Sequence, residues 1–105
     1  MTPAAARAMY DRQFASHGED VTIRSGGTES AGRARVTGFK PEELTGAIQQ
    51  GDRKVILLAD GLSVVPASGD TIIVRGEELN IEAVDDSTRR VAGELIAYEI
   101  VARGE

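Results

Sequence analysis

The residues that could do chemistry in this 105-residue chain are few, and their spacing decides how each is read. Gly27-Thr28-Glu29-Ser30-Ala31-Gly32 has the glycine spacing of a phosphate-binding loop, where backbone N–H groups cradle an anion. The accompanying chemistry is missing. Arg33 stands where a lysine would reach the phosphates, and Ala34 where a hydroxyl would hold magnesium. The chain also continues as a strand, so no helix N-terminus is offered to an anion. A plain flexible loop is the expectation.

His17 is the only histidine, and without a second histidine or any cysteine it predicts no transition-metal site. It falls near a helix end, where an imidazolium favours the dipole. The acidic pairs Glu42-Glu43, Glu77-Glu78 and Asp85-Asp86 are adjacent in sequence. Neighbouring strand residues point to opposite faces, so these pairs form no converging acid–base dyad. Asp60 and Asp70 fit no calcium-loop pattern and read as solvated turn carboxylates. The loop serines 16, 25, 30, 63, 68 and 87 lack a GxSxG elbow and a base placed beside them. No catalytic, metal or cofactor-binding residue is predicted.

Composition narrows the class further. The length predicts a single domain, residues 1–105, and 41% hydrophobic content is enough for a core. Tyr10, Phe14, Phe39 and Tyr98 are the only aromatics, so that core must rest on Val, Ile, Leu and Ala. A net charge of −5 argues against a general nucleic-acid binder. Local basic patches remain at Arg33 with Arg35 and at Arg89 with Arg90. The lack of cysteine fits a reducing compartment. No apolar run is long enough to span a membrane and no leader pattern opens the chain, so folding in a cytoplasm is expected.

The elements that must carry these residues follow from periodicity. Thr2 and Pro3 predict a helix start, residues 4–15 a helix with Ala6, Met9, Tyr10, Gln13 and Phe14 on one stripe, and Gly18 its end. Residues 20–24 read as a strand, 25–32 as a mobile loop without large apolar side chains, and 33–40 as a strand. Residues 41–44 read as a loop or one helical turn, and 45–50 stay open between strand and coil. Residues 53–59 form the most apolar, central strand. A loop over 60–69 is expected to be anchored by Leu62, Val64 and Val65. A hairpin follows, with strands 71–75 and 79–84 joined at Gly76-Glu77. After a polar turn at 85–90, residues 94–103 form the last strand. One helix with about six short strands predicts a mainly β fold, a small antiparallel barrel or sandwich.

Polar small-residue loops can order against a partner, which makes the glycine-rich loop and the 85–90 turn the candidate contact elements. The residues singled out are Gly26, Gly27, Thr28, Glu29, Ser30, Arg33, Arg35, Arg89 and Arg90.

Taken together, the segments resemble the small head–tail joining (connector or head-completion) proteins of tailed bacteriophages and prophages, especially the lambda-like type. The resemblance starts with a helix containing Met9-Tyr10 and Phe14, then Val21-Thr22-Ile23 before a polar loop. It is clearest from Lys54 onward: an apolar strand with an Asp60-Gly61-Leu62 exit, then Pro66-x-x-Gly69-Asp70-Thr71-Ile72 and Gly76-Glu77-Glu78. A strand ending at Val84-Asp85 and a final strand, Tyr98-Glu99-Ile100-Val101-Ala102-Arg103-Gly104, complete it. The resemblance implies a barrel or sandwich with a helix and no enzymatic activity. It implies assembly as a ring at the exit of the filled capsid, bound to portal or adaptor and tail proteins. It further implies a monomer when free, found in the host cytoplasm before assembly and then in the virion, with residues 25–35 refolding on assembly. On that expectation, a chain lacking residues 26–32 stays folded but fails to join heads to tails. The competing reading is a free-standing barrel that binds a small ligand or single-stranded nucleic acid, which needs exposed aromatics and a basic strand face.

Overall fold

Thr2 opens the helix as its residue type predicts, its hydroxyl accepting from Ala5 N at 3.1 Å. In this computed structural model, which describes residues 1–44, 46 and 48–104, helix α1 runs Pro3–His17. Gly18 stops it by donating its N–H to Phe14 O at 2.9 Å. The expected stripe holds for Ala6 and Phe14, which are buried, and half holds for Met9 and Tyr10; Gln13 is exposed.

The strands are β1 (Glu19–Ser25), β2 (Thr28–Gly38), β3 (Arg53–Leu58), β4 (Thr71–Val74) and β5 (Glu77–Asp85). After them come β6 (Arg90–Val91), β7 (Glu94–Leu95) and β8 (Ala97–Arg103). Six of them close a barrel in the order β1-β2-β3-β8-β5-β4, and β4 returns to β1. Every pairing is antiparallel, so each strand points its alternate residues inward. The mainly β reading is right, and closure decides for a barrel over a sandwich.

Alternation builds the core. Val21 and Ile23, Val55 and Leu57, Ile72 and Val74, Leu79 and Ile81, Ile100 and Ala102 all face the barrel axis. Of these, Ile23, Leu57, Ile72, Ile81, Ile100 and Val55 are fully enclosed. Burying each such side chain is worth about 1.5–3 kcal/mol. A second, smaller cluster lies outside the wall: Phe14 of α1 packs on Ile56, Leu58 and Ala97, with Tyr10 beside it. That is why β3 reads as continuously apolar. One face of it fills the barrel and the other receives the helix.

Several expectations are corrected. Residues 25–32 are not a loop: Ser25 pairs with Thr28 across a two-residue Gly26-Gly27 turn, and 28–32 continue as the first half of β2. The turn of the second hairpin is Arg75-Gly76, one residue earlier than Gly76-Glu77, because Val74 pairs with Glu77. Both turn residues have positive φ, 51° and 80°, as a tight hairpin requires. Leu62 and Val64 pack against the core, but Val65 is 73% exposed and anchors nothing. The 85–103 region holds an extra small hairpin, β6–β7, and the last strand starts at Ala97. Phe39 is only half-buried, whereas Tyr98 is in the core as its strand patterning predicts. Within 45–50, Thr45 and Ala47 lie outside the described residues; Gly46 and 48–50 carry no strand.

Candidate functional site

Because β2, β3 and β8 are neighbours in register, their outward residues line up in rows across the wall. Arg35 lies opposite Ile56, and Ile56 opposite Glu99. In the next row Thr37 lies opposite Lys54, and Lys54 opposite Val101. Such directly opposed side chains have Cβ atoms about 4.5–5.5 Å apart, close enough to act together. From the side, the short 3-10 turn Pro41–Glu43 brings in Glu43, and the segment before β6 brings in Arg89. The result is a groove of about 310 Å³ on the outer wall, with Arg35, Lys40, Lys54 and Arg89 as its cations.

The ion pairs of the groove converge on Glu99. Lys54 Nζ lies 3.3 Å from Glu99 Oε1 and 3.2 Å from Glu43 Oε2, while Arg89 Nε lies 3.6 Å from Glu99 Oε2. Arg89 Nη1 also donates to Tyr10 Oη at 2.9 Å, which ties the groove to the helix. Burial works against the Lys54 charge, yet its hydrogen bonds to Glu43 and Glu99 outweigh it and hold its pKa above the ordinary lysine value. The Lys40 backbone N–H donates to Glu43 at 3.0 Å and, with Lys54, holds the Glu43 carboxyl below its ordinary value. Arg35 and Lys40 enter no ion pair among the described residues. The groove thus carries a surplus of positive charge on a chain whose net charge is −5.

The residues singled out from sequence are not one site. Arg35 and Arg89 meet in this groove. Gly26 and Gly27 form a bare turn at a barrel end, with φ of 57° and 84°. Along β2, Arg35 is about 23 Å from Thr28 at strand rise. Glu29 pairs with Arg24 at 3.0 Å across the β1–β2 ladder. Ser30 is buried, and its hydroxyl accepts from Ser63 N at 3.0 Å, which pins the β3–β4 connection. Arg33 closes the helix end, donating through Nε and Nη2 to Phe14 O at 3.1 and 2.8 Å and reaching Asp20 at 3.1 Å. Arg90 holds its own turn through Asp86 O at 2.7 Å and Gly93 O at 2.8 Å. Glu29, Ser30, Arg33 and Arg90 thus each make contacts within the fold.

The glycine spacing at 27–32 forms no phosphate cradle. After the Gly26-Gly27 turn, residues 28–32 lie in the β1–β2 ladder, and Gly32 sits so close to Leu57 and Leu62 that an added Cβ would be 3.0 and 3.1 Å from their methyls. Lys40, Glu43, Lys54 and Glu99 were not anticipated as site residues. Their only sequence signal is polarity at outward positions, and the β3–β8 pairing that gathers them joins segments more than forty residues apart.

No protein-family model matches the chain, and no curated protein does. Among solved structures, the chain is similar to the "Crystal structure of the ATP-binding sugar transporter-like protein from Salmonella typhimurium". The TM-score is 0.56 at 20% identity, covering 97% of this chain and 90% of that one. At that identity the likeness establishes a shared fold.

Proposed function

We propose that this chain is a non-enzymatic structural protein of a tailed phage or prophage, a subunit of the head–tail connector that joins the DNA-filled head to the tail. The observation that carries the reading is a barrel closed on itself around a core filled by its own side chains. A packed interior leaves no room for a ligand inside, and closure leaves the barrel no strand edge to extend. Partners must therefore be met by side chains on the outer wall and by the connections at the barrel ends. The resemblance over residues 54–104 supplies the partners: a portal or adaptor protein on one side, tail proteins on the other, and copies of the chain in a ring. Like charge keeps free acidic subunits apart until a complementary surface recruits them.

The refolding role expected for residues 25–35 is not carried forward, since residues 28–35 are barrel wall. The contacts are assigned instead to the outer groove and to the exposed connections around 60–69 and 85–89. Light scattering on the chain alone, and mixed with the portal or adaptor protein encoded beside it, tests the proposal. The expected outcome is a monomer that forms a defined ring only with that partner. A chain that stays monomeric with every neighbouring virion protein overturns it in favour of a free-standing binding module.

A further inference from the structure

We infer that the groove across β2, β3 and β8 is a docking site for an extended acidic segment of a partner protein. The connector reading assigns partner contacts to this same groove, but a defined peptide probe tests the groove without any virion protein, so failure of one leaves the other standing.

Three observations select this occupant. The first is charge: Arg35 is exposed and enters no ion pair among the described residues, and Lys40 forms none either, its charge reaching Glu43 only at longer range, whereas Arg89 is held inside by Tyr10 with its Nε buried. An exposed arginine with an unanswered fork, as Arg35 is, suits bidentate capture of a carboxylate. The second is size, since about 310 Å³ is roughly ten times the volume of a water in the liquid, so a lone ion would leave most of the groove empty. The third is pattern. Arg35 and Lys54 stand in adjacent outward rows of β2 and β3, and Lys40 lines the same groove. A peptide with alternating carboxylates, about 7 Å apart along an extended chain, can set them on these cations.

The probe is a polyglutamate peptide of about six residues, about 20 Å long when extended. It is titrated into the full chain while backbone amide shifts are followed by NMR, at about 0.02 M and about 0.5 M salt. The expected result is saturable shifts confined to residues 35–40, 53–56 and 88–90, weakened by salt. The double variant Arg35→Glu/Lys40→Glu should bind at least about tenfold more weakly, with an unchanged melting temperature. Arg12→Glu, a reversal of an exposed helix cation outside the groove, should bind as the parent does. Scattered shifts, or an equal loss in Arg12→Glu, overturn the proposal by showing unspecific attraction. Inorganic phosphate matching the peptide shift for shift would reduce the site to one for a small anion. Tighter binding by a single-stranded oligonucleotide would make nucleic acid the occupant. Either of these also overturns it.

Discussion

Arg103, the last residue of β8, grips Asp52, the residue before β3, with two parallel hydrogen bonds: Nε to Oδ1 at 2.9 Å and Nη2 to Oδ2 at 3.0 Å. The Asp52 carboxylate is almost fully enclosed and also accepts from Gln49 N at 2.9 Å. Arg103 reaches Glu82 as well, at the register shift where β5 meets β8. One guanidinium therefore joins the β2–β3 connection, the β8 terminus and the bulge of β5. Bidentate geometry of this kind fixes orientation as well as distance.

This pair sets an acid limb. Arg103 holds the Asp52 carboxyl below its ordinary value near 3.8, with burial opposing and Gln49 adding to the shift. The folded pKa is lower than the unfolded one, so the stabilisation is complete above the unfolded value and is lost as pH falls through the folded one. Glu43 and Asp85 shift in the same sense, Asp85 chiefly through the Thr88 hydroxyl. Urea midpoints of the parent and Asp52→Asn, compared from about pH 7 to about pH 2.5, should differ at neutrality and converge in acid. A gap that stays constant to the lowest pH would show that the carboxylate charge is not what stabilises this corner.

Phe14 is the main apolar anchor of α1 on the wall, enclosed by Ile56, Leu58 and Ala97. Its truncation, Phe14→Ala, leaves a void that helix and sheet close only in part. A loss of about 3 kcal/mol is expected in guanidinium unfolding. A loss below about 1 kcal/mol would mean that the helix is not held by this contact.

Gly18 is required by space rather than by backbone conformation, since its φ of −92° suits any residue. A Cβ there would be 2.6 Å from Phe14 O and 3.1 Å from Ala34 O, both backbone atoms that cannot swing aside. Phe14 O is also the acceptor of Gly18 N–H and of the Arg33 guanidinium. Gly18→Ala should cost about 1–3 kcal/mol and loosen the last helical turn. Thermal unfolding and helical circular dichroism report both, and an unchanged melting point contradicts the packing described.

The first hairpin separates two kinds of glycine. Gly27 has open space around it, so Gly27→Ala pays only for a left-handed backbone, about 1 kcal/mol. Gly32 faces Leu57 and Leu62, so Gly32→Val overpacks the barrel and should cost about 1–3 kcal/mol. Removing residues 26–32 takes out half of a barrel strand with the buried Ser30. That deletion should abolish cooperative unfolding. A sharp thermal transition in the deleted chain would place this segment outside the folded core.

The hairpin also shows why part of the fold escaped a linear reading. Residues 25–32 carry no large apolar side chain, the usual mark of a strand, yet Ser30, Gly32 and Ala34 face inward in strict alternation. Small side chains are what this part of the wall needs, because Leu57 and Leu62 already fill the space in front of it. The pattern has the period of a strand without the hydrophobicity that announces one. Arg33 was equally opaque: its task, closing the helix at Phe14 O, joins residues nineteen positions apart.

What the chain by itself determined was local: the Thr2-Pro3 helix start, the Gly18 stop, the alternation of β4, β8 and β5 as far as Ile81, where a register shift exposes Ala83 and turns Val84 to the core, and the continuous apolar run of β3. These follow from caps, turn glycines and side-chain period, which act over a few residues. The order of strands around the barrel, its closure through β4 and β1, and the row Arg35–Ile56–Glu99 were decided by tertiary structure alone. Strand register depends on which faces can share a core, so it is settled only when distant segments pack. Arg35 and Arg89 were visible as separate basic residues; only the barrel makes them one surface.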